Sequence, residues 1–321
     1  MTIRWGILGC GDVAHKRVAA AISSQAESQL FSACRRDESK LEAFCAVHGA
    51  KRAYTNAEDL IADTDVDALY IATPVSLHCE QTLAAARAGK HVLVEKPMAM
   101  LVAECDEMVA VGEERGVTLG VAYYRRFYPV VERMRALVAE GRIGEPFSIT
   151  AVTATPFGFE PGEDGYWRVV LPEGGGGALM DIGSHRINLF LSFFGNAIGV
   201  KALFSTLGVS YKAENCASVI LQFESGAHGS LQCFFGTDVD PDEFTIVGTR
   251  GRLIASPLNG SELVIETAEG RWTESHPPPS NFNAPLIDDF VAAIHSGGTP
   301  RVSGDEGRRT NAVLERAYQS I

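Results

Sequence analysis

The first third of the chain repeats one rhythm of apolar and polar positions. Short apolar runs at Ile3 to Leu8, Leu30 to Cys34, Ala68 to Ala72, His91 to Val94 and Val117 to Val121 read as buried strands. Between them, apolar residues recur at helical spacing, as in Val13, Ala14, Val18, Ala21 and Ile22. Asp37 and Asn56 predict helix N-caps, Pro74 a turn, and Gly89 and Gly116 helix stops, the second closing a helix over Met98 to Glu114. Such strand–helix alternation with short loops predicts a doubly wound parallel sheet with right-handed crossovers.

The texture changes after Tyr123. One more helix, Val130 to Glu140, precedes longer runs with two-residue alternation: Phe147 to Thr155, Val200 to Leu207, Ala217 to Phe223, Gly229 to Phe235, Glu243 to Val247, Leu253 to Ser256 and Leu263 to Glu266. A helix from about Ser184 to Phe194 interrupts them, Pro277-Pro278-Pro279 forms a stiff connector, and two amphipathic helices finish the chain. The pattern predicts an α+β domain with a large, mostly antiparallel open sheet. The division expected is a dinucleotide-binding domain over residues 1–122 and a substrate and oligomerisation domain over 123–321, with the site between them.

Charge narrows the partners. The 321 residues carry 28 basic and 40 acidic side chains, a net charge of −12. That balance argues against a nucleic-acid partner, whose binding needs a broad basic surface, but leaves room for a small phosphorylated ligand in a local pocket. No apolar run reaches membrane-spanning length, and the N-terminus reads as a strand rather than an export signal. The seven cysteines are odd in number and scattered, and the eight histidines form no H-x-x-x-H pair. We therefore expect reduced thiols, a cytoplasmic location, no membrane contact and no metal.

The first chemical motif is Gly9-Cys10-Gly11-Asp12-Val13-Ala14, a G-x-G-x-x-A turn between the first strand and the first helix. Gly9 permits the tight turn, Gly11 admits a pyrophosphate to the backbone, and Ala14 allows close helix–strand packing. The helix start adds free amides and a positive dipole end. The second strand runs out into Arg35-Arg36, with no acid before Asp37, which has a capping role available. Guanidinium groups there suit a ribose 2′-phosphate, so NADP(H) is the expected cofactor, with NAD(H) possible.

Further segments carry a resemblance. Ala72-Thr73-Pro74-Val75-Ser76-Leu77-His78, Ala88 to Pro97 ending in Glu95-Lys96-Pro97, Arg125-Arg126-Phe127, Tyr166-Trp167-Arg168 and Gly175 to His185 with its D-x-G-x-H ending follow in order. With the glycine turn, they make the whole chain resemble the Gfo/Idh/MocA oxidoreductases, the family of glucose-fructose oxidoreductase and inositol dehydrogenase. The resemblance implies hydride transfer between nicotinamide and a carbinol or carbonyl of a sugar, polyol or sugar derivative. It implies that Thr73, Pro74, His78, Glu95 and Lys96 line the cofactor side, that Lys96 contacts substrate hydroxyls, that the Lys96-Pro97 bond can be cis, and that the protein forms dimers or tetramers through the sheet face.

Chemistry assigns the remaining roles. Removing a hydride also releases a proton, which needs a group titrating near neutral pH. His185 fits that need, and Asp181, four residues earlier, can orient it and bind hydroxyls. Lys96 can polarise the reacting oxygen. Tyr123, Arg126, Tyr166 and Arg168 are candidates for the substrate pocket. Relatives such as glucose-fructose oxidoreductase and dimeric dihydrodiol dehydrogenase have tyrosine in the place of His185. The sequence thus looks like the inositol-dehydrogenase branch in its acid/base group and departs from it at Arg35. Two alternatives are an NAD-dependent glycoside hydrolase of the same family and a non-catalytic cofactor or sugar sensor.

Overall fold

In the computed structural model, which describes residues 2–320, the apolar runs of the first third pair as a six-stranded sheet. The strands are β1 (Ile3–Leu8), β2 (Ser28–Cys34), β3 (Arg52–Tyr54), β4 (Ala68–Ile71), β5 (His91–Val94) and β6 (Leu119–Val121). They lie in the order β3-β2-β1-β4-β5-β6, and every pairing is parallel. β4 is buried along its whole length, as a strand covered on both faces must be. The connecting helices are α1 (Ala19–Ser24), α2 (Glu38–His48), α3 (Ala57–Ala62), α4 (His78–Arg87) and α5 (Val102–Arg115). Asp37 and Asn56 cap α2 and α3 through the amides of Lys40 and Asp59, at 3.0 and 2.9 Å.

Strand order reverses beside β1, so the chain leaves β1 and β4 in opposite directions across the sheet. Ligands bind at such a switch, outside the carboxyl ends of the strands. Gly9 and Ala72 are the residues that leave those ends, tied by the Gly9 amide to Cys34 O (3.0 Å) and the Ala72 amide to Leu8 O (2.7 Å).

This first unit takes in residues up to 124 and also 281–311, a return that the expected division at 122 does not contain. Helix α9 (Ala284–Ser296) brings Phe290 to 5.5 Å from the Trp5 ring. Beyond it, the Val121 amide donates to Val302 O at 2.9 Å, and Ser303 bridges to Gly120 at the edge strand.

The second unit holds residues 125–280 and the tail from 312. Its strands are β7 (Pro146–Thr155), β8 (Ala197–Ser205), β9 (Cys216–Phe223), β10 (His228–Phe235), β11 (Asp242–Gly248), β12 (Gly251–Ala255), β13 (Glu262–Thr267) and β14 (Gly270–Ser275). The order is β14-β13-β12-β11-β7-β10-β9-β8, antiparallel except where β7 meets β10. Helices α6 (Pro129–Ala139), the single turn α7 (Leu171–Gly174) and α8 (Ser184–Phe194) belong to it, and α10 (Gly304–Tyr318) ends in it. Along β9 and β10, burial alternates residue by residue. The inward positions pack on α8, where Phe190 and Phe194 meet Phe244 and Phe223 at 5.8 and 5.2 Å. The outward face keeps Leu203 77% exposed and Ile220 60% exposed.

Two details depart from the sequence pattern. α5 begins at Val102 and not at Met98, because Leu101 is still extended, at φ −126° and ψ 154°. The Glu104 carboxylate then accepts the amides of Met100 and Leu101, at 2.9 and 3.1 Å, and fixes the entry. Strands β3 and β14 have no apolar run to announce them.

Candidate active site

The cofactor side is built on the first unit. Gly9 has φ +89°, and a Cβ there would lie 2.6 Å from Ala72 C and O and 2.8 Å from Thr73 N. Only glycine lets the two strand ends pass this closely. Gly11 is the opposite case, since a Cβ on it would meet nothing within 4 Å. The helix beyond opens at Asp12, and the first amide bonded within it is that of His15, which donates to Gly11 O at 3.0 Å. The amides before it in the first turn are thus left for a ligand. Open space over Gly11 beside uncapped amides fits the pyrophosphate of a dinucleotide.

Ala14 is fully buried against the sheet, and Ala14–Val18 winds as one π-helical turn before α1, a distortion frequent at functional sites. Asp12 turns its carboxylate to Lys16 Nζ at 2.8 Å, so only its backbone faces the turn. Arg35 reaches back and donates from Nη1 to the carbonyl of Cys10, holding a guanidinium over the glycine turn. Arg36 is exposed beside it, and Asp37 is engaged on the Lys40 amide.

Thr73 and Pro74 follow the Ala72 end, with the Thr73 hydroxyl donating to Gln81 Oε1 at 2.7 Å. His78 behaves differently from a cofactor-facing residue. It is fully buried, with Nδ1 at 3.0 Å from Pro97 O and Nε2 at 2.9 Å from Thr73 O. Both ring nitrogens face backbone carbonyls, and the neutral ring donates its one N–H to either of them, which sets it between the Thr73 turn and the segment after Lys96. Burial pushes its pKa down.

Lys96 follows β5 and is half-buried, and its bond to Pro97 is cis. Its amide donates to Glu95 Oε2 at 3.2 Å, while Glu95 Oε1 accepts the hydroxyl of Tyr70 at 2.6 Å. Glu95 is thus a buried support for the lysine. Tyr123 is 1% exposed, which leaves a ligand almost none of its ring.

The substrate side is built on the second unit. Leu179–Gly183 is a second π-helical turn, continuous with α8, and it carries Asp181. His185 follows on the first turn of α8 and is buried. Arg168, on the turn Tyr166–Val169, brings Nε to 3.5 Å from Asp181 Oδ2. Its guanidinium lies 4.8 Å from the Trp167 ring centre and 5.5 Å from that of Phe159. Tyr166 is half-buried on the same turn, and Arg126 is buried.

Sequence reasoning did not single out Phe157, Phe159 or Tyr211. Phe157 takes a positive φ of 41°, rare outside glycine, and stacks on Phe235 at 4.8 Å with Phe159 and Tyr211 edge-on at 5.6 and 5.5 Å. The available signal was the pair of aromatics around Gly158 in a loop with no strand or helix pattern. Tyr70 and Glu214 were missed as well.

Comparison with known proteins places this architecture. Residues 3–123 match the GFO/IDH/MocA oxidoreductase family with its NAD-binding Rossmann fold, and residues 131–254 match the GFO/IDH/MocA C-terminal domain. A 1,5-anhydro-D-fructose reductase from Ensifer adhaerens is 33% identical over 313 residues, 95% of this chain and 92% of the relative. A D-xylose 1-dehydrogenase (NADP(+)) from Haloferax volcanii is 31% identical, over 98% of this chain and 96% of its own length. Among solved structures, an aldose-aldose oxidoreductase from Caulobacter crescentus, complexed with glycerol, superposes with a TM-score of 0.91 at 28% identity, covering 100% of this chain and 97% of that one. The strand order, the glycine turn at the switch and these matches over nearly the whole length lead to one conclusion: the chain belongs to the GFO/IDH/MocA family of nicotinamide-dependent oxidoreductases.

Proposed function

We propose that the protein transfers a hydride between nicotinamide, as NADP(H) in preference to NAD(H), and the carbinol or carbonyl carbon of a sugar, polyol or sugar derivative. The observation that carries the reading is the Arg168–Asp181 pair beside the Trp167 and Phe159 rings, with His185 four residues on from Asp181 in the same helical segment. It combines a proton carrier, hydrogen-bonding groups for several hydroxyls, and rings that suit the CH faces of a sugar. The two curated relatives act, by their names, on a sugar derivative and a sugar.

The bound nicotinamide supplies the hydride acceptor or donor. In oxidation His185 takes the hydroxyl proton, and in reduction it returns that proton. Lys96 polarises the reacting oxygen, and its ammonium stabilises the alkoxide as charge develops. Asp181 holds substrate hydroxyls and keeps the histidine oriented, with Arg168 beside it. Tyr166 and Arg126 serve the substrate side of the second unit, of which Tyr166 offers the more surface.

The preference for NADP(H) rests on Arg35, fastened to the glycine turn by its bond to Cys10 O, and on Arg36 next to it. Gly9, Gly11 and the amides of Asp12, Val13 and Ala14 take the pyrophosphate, while Thr73, Pro74, Glu95 and Lys96 wall the far side, with His78 bracing that wall.

The open face bearing Leu203 and Ile220 is the surface for a homo-dimer or homo-tetramer. The seven cysteines are free thiols, which suits a cytoplasmic location. No helix among the described residues is long and apolar enough to cross a membrane.

The test is a panel of sugars and keto-sugars with NADPH and NADH, read at the nicotinamide absorbance. With a substrate in hand, His185→Ala should lower kcat by on the order of a hundredfold or more, with NADPH affinity retained. Unchanged turnover overturns the assignment of His185.

A further inference from the structure

We infer that Glu214, together with Tyr318, is the positioning residue for the acid/base segment, fixing Asp181 and His185 without itself touching substrate. The inference rests on the reading of Asp181 and His185 given above.

The segment needs an outside anchor. Its helix starts at Ala178 with no side-chain cap, on a π-helical turn that follows the glycine run 174–177. The first amides of any helix lack partners within it, and a buried start must find them elsewhere. Here three consecutive amides end on one residue. Gly177 N donates to Glu214 Oε2 at 2.8 Å, Leu179 N donates to Glu214 Oε1 at 3.0 Å, and Ala178 N donates to Glu214 O at 3.0 Å. The Tyr318 hydroxyl donates to Oε1 at 2.8 Å. Glu214 is 7% exposed, and its negative charge sits at the positive end of the helix.

The glycine run is shaped by this contact. A Cβ on Gly177 would lie 1.9 Å from Glu214 O, and one on Gly176 would lie 2.1 Å from the Tyr318 hydroxyl. These glycines are there so that the helix start can seat on Glu214 and Tyr318.

The anchor is itself rigid. Asn215 accepts the Leu207 amide and donates to Leu207 O, both at 2.8 Å, and its own carbonyl accepts Phe235 N at 2.8 Å. Residues 214–215 are thereby pinned to the ends of β8 and β10. The Tyr318 ring lies parallel on Phe204, at 4.9 Å and 6°. From Glu214, the connection to the chemistry is short. Gly177 O accepts the Asp181 amide at 3.0 Å, and Asp181 O accepts the Ser184 hydroxyl at 3.0 Å, one residue before His185. The sheet thus sets the orientation of the π-helical turn through a single carboxylate.

A carboxylate can accept all three donors at its oxygens, whereas an amide offers one acceptor and turns an N–H towards one of the donors. Glu214→Gln should therefore twist the turn without emptying the site. Since small displacements of reacting groups are costly, kcat per cofactor-binding site should fall on the order of tenfold or more, while NADPH affinity stays within roughly twofold, and the acid/base pKa in the kcat–pH profile should move. Tyr318→Phe, which removes one donor only, should give the same changes at a smaller scale. A drop in thermal stability with kcat and pH profile unchanged in Glu214→Gln would make the residue merely structural and overturn the inference. Where Glu214→Gln does not fold, an unchanged kcat and pH profile in Tyr318→Phe does the same. Asp181→Ala and His185→Ala are measured alongside. If they too leave kcat unchanged, the acid/base reading is what fails; if they abolish turnover and the Glu214 and Tyr318 variants do not alter it, the positioning inference alone is lost.

Discussion

Tyr70 and Glu95 are joined by a 2.6 Å hydrogen bond at neighbouring strand ends, one side chain fully buried and the other 9% exposed. The second oxygen of Glu95 faces the amide of Lys96. Tyr70→Phe removes the donor and leaves a buried carboxylate oxygen without it, at a cost of about 1.5–3 kcal/mol. The melting temperature should fall, and kcat should fall by roughly threefold to tenfold as Lys96 loses its support. Thermal unfolding and steady-state kinetics on one preparation check both. A variant with lower stability and undiminished kcat would separate Glu95 from the lysine.

Gly9 and Gly11 should respond oppositely to the same methyl group. Gly9→Ala forces a Cβ against the backbone at 2.6 Å and holds alanine at φ +89°, which costs about 1–3 kcal/mol in strain alone. Gly11→Ala meets no protein atom within 4 Å, so its stability should stay within about 0.5 kcal/mol of the parent. Its NADPH affinity should nevertheless drop on the order of tenfold, about 1.4 kcal/mol. Calorimetry and fluorescence titration of NADPH distinguish the two. Full affinity in Gly11→Ala would show that the pyrophosphate passes elsewhere.

Arg35 should discriminate between the two nicotinamide cofactors. Arg35→Ala removes a charged partner of the 2′-phosphate, and NADPH affinity should fall on the order of tenfold or more. NADH affinity should change by no more than roughly twofold. Parallel titrations settle the matter; an equal loss for both cofactors would assign Arg35 to the glycine turn alone.

Acid stability should depend on Glu274. Arg133 donates to both of its oxygens, at 2.7 and 3.1 Å, and His276 lies at 2.9 Å. The Arg133 guanidinium is the main cause that holds the Glu274 carboxyl at about 2, down from 4.5. A carboxyl lowered in the fold adds stability above its unfolded pKa and loses it as pH falls towards the folded one. The difference in melting temperature between the parent and Glu274→Gln should therefore be largest near neutral pH and close between 4.5 and 2. A gap of constant size over that interval would remove Glu274 from the account.

Much of the architecture was legible because burial on two faces and burial on one face leave different marks. β4 is an unbroken apolar run, while β9 alternates, and each mark survives in the sequence. β3 was not legible, since Arg52-Ala53-Tyr54 is short and half-exposed, and β14 has only Trp272 as a large apolar residue. Lys96, Asp181 and His185 were legible as candidates for the site through their motifs. What holds them was not. Glu214 and Tyr318 lie 104 residues apart, and no local pattern joins them. His78 shows the same limit, because the two carbonyls that its ring nitrogens face come together only in the fold.

The return of residues 281–311 to the first unit sets a schedule for biosynthesis. Phe290 covers Trp5, and Val302 and Ser303 finish the edge at β6, so the nucleotide fold is incomplete when residue 124 leaves the ribosome. Residues 125–280 must follow first, which at ribosomal speed occupies on the order of ten to thirty seconds. Through that interval an apolar surface around Trp5 waits for a helix not yet made. A gene fragment that stops after β6 therefore encodes the glycine motif without the residues that cover Trp5 and finish the sheet edge.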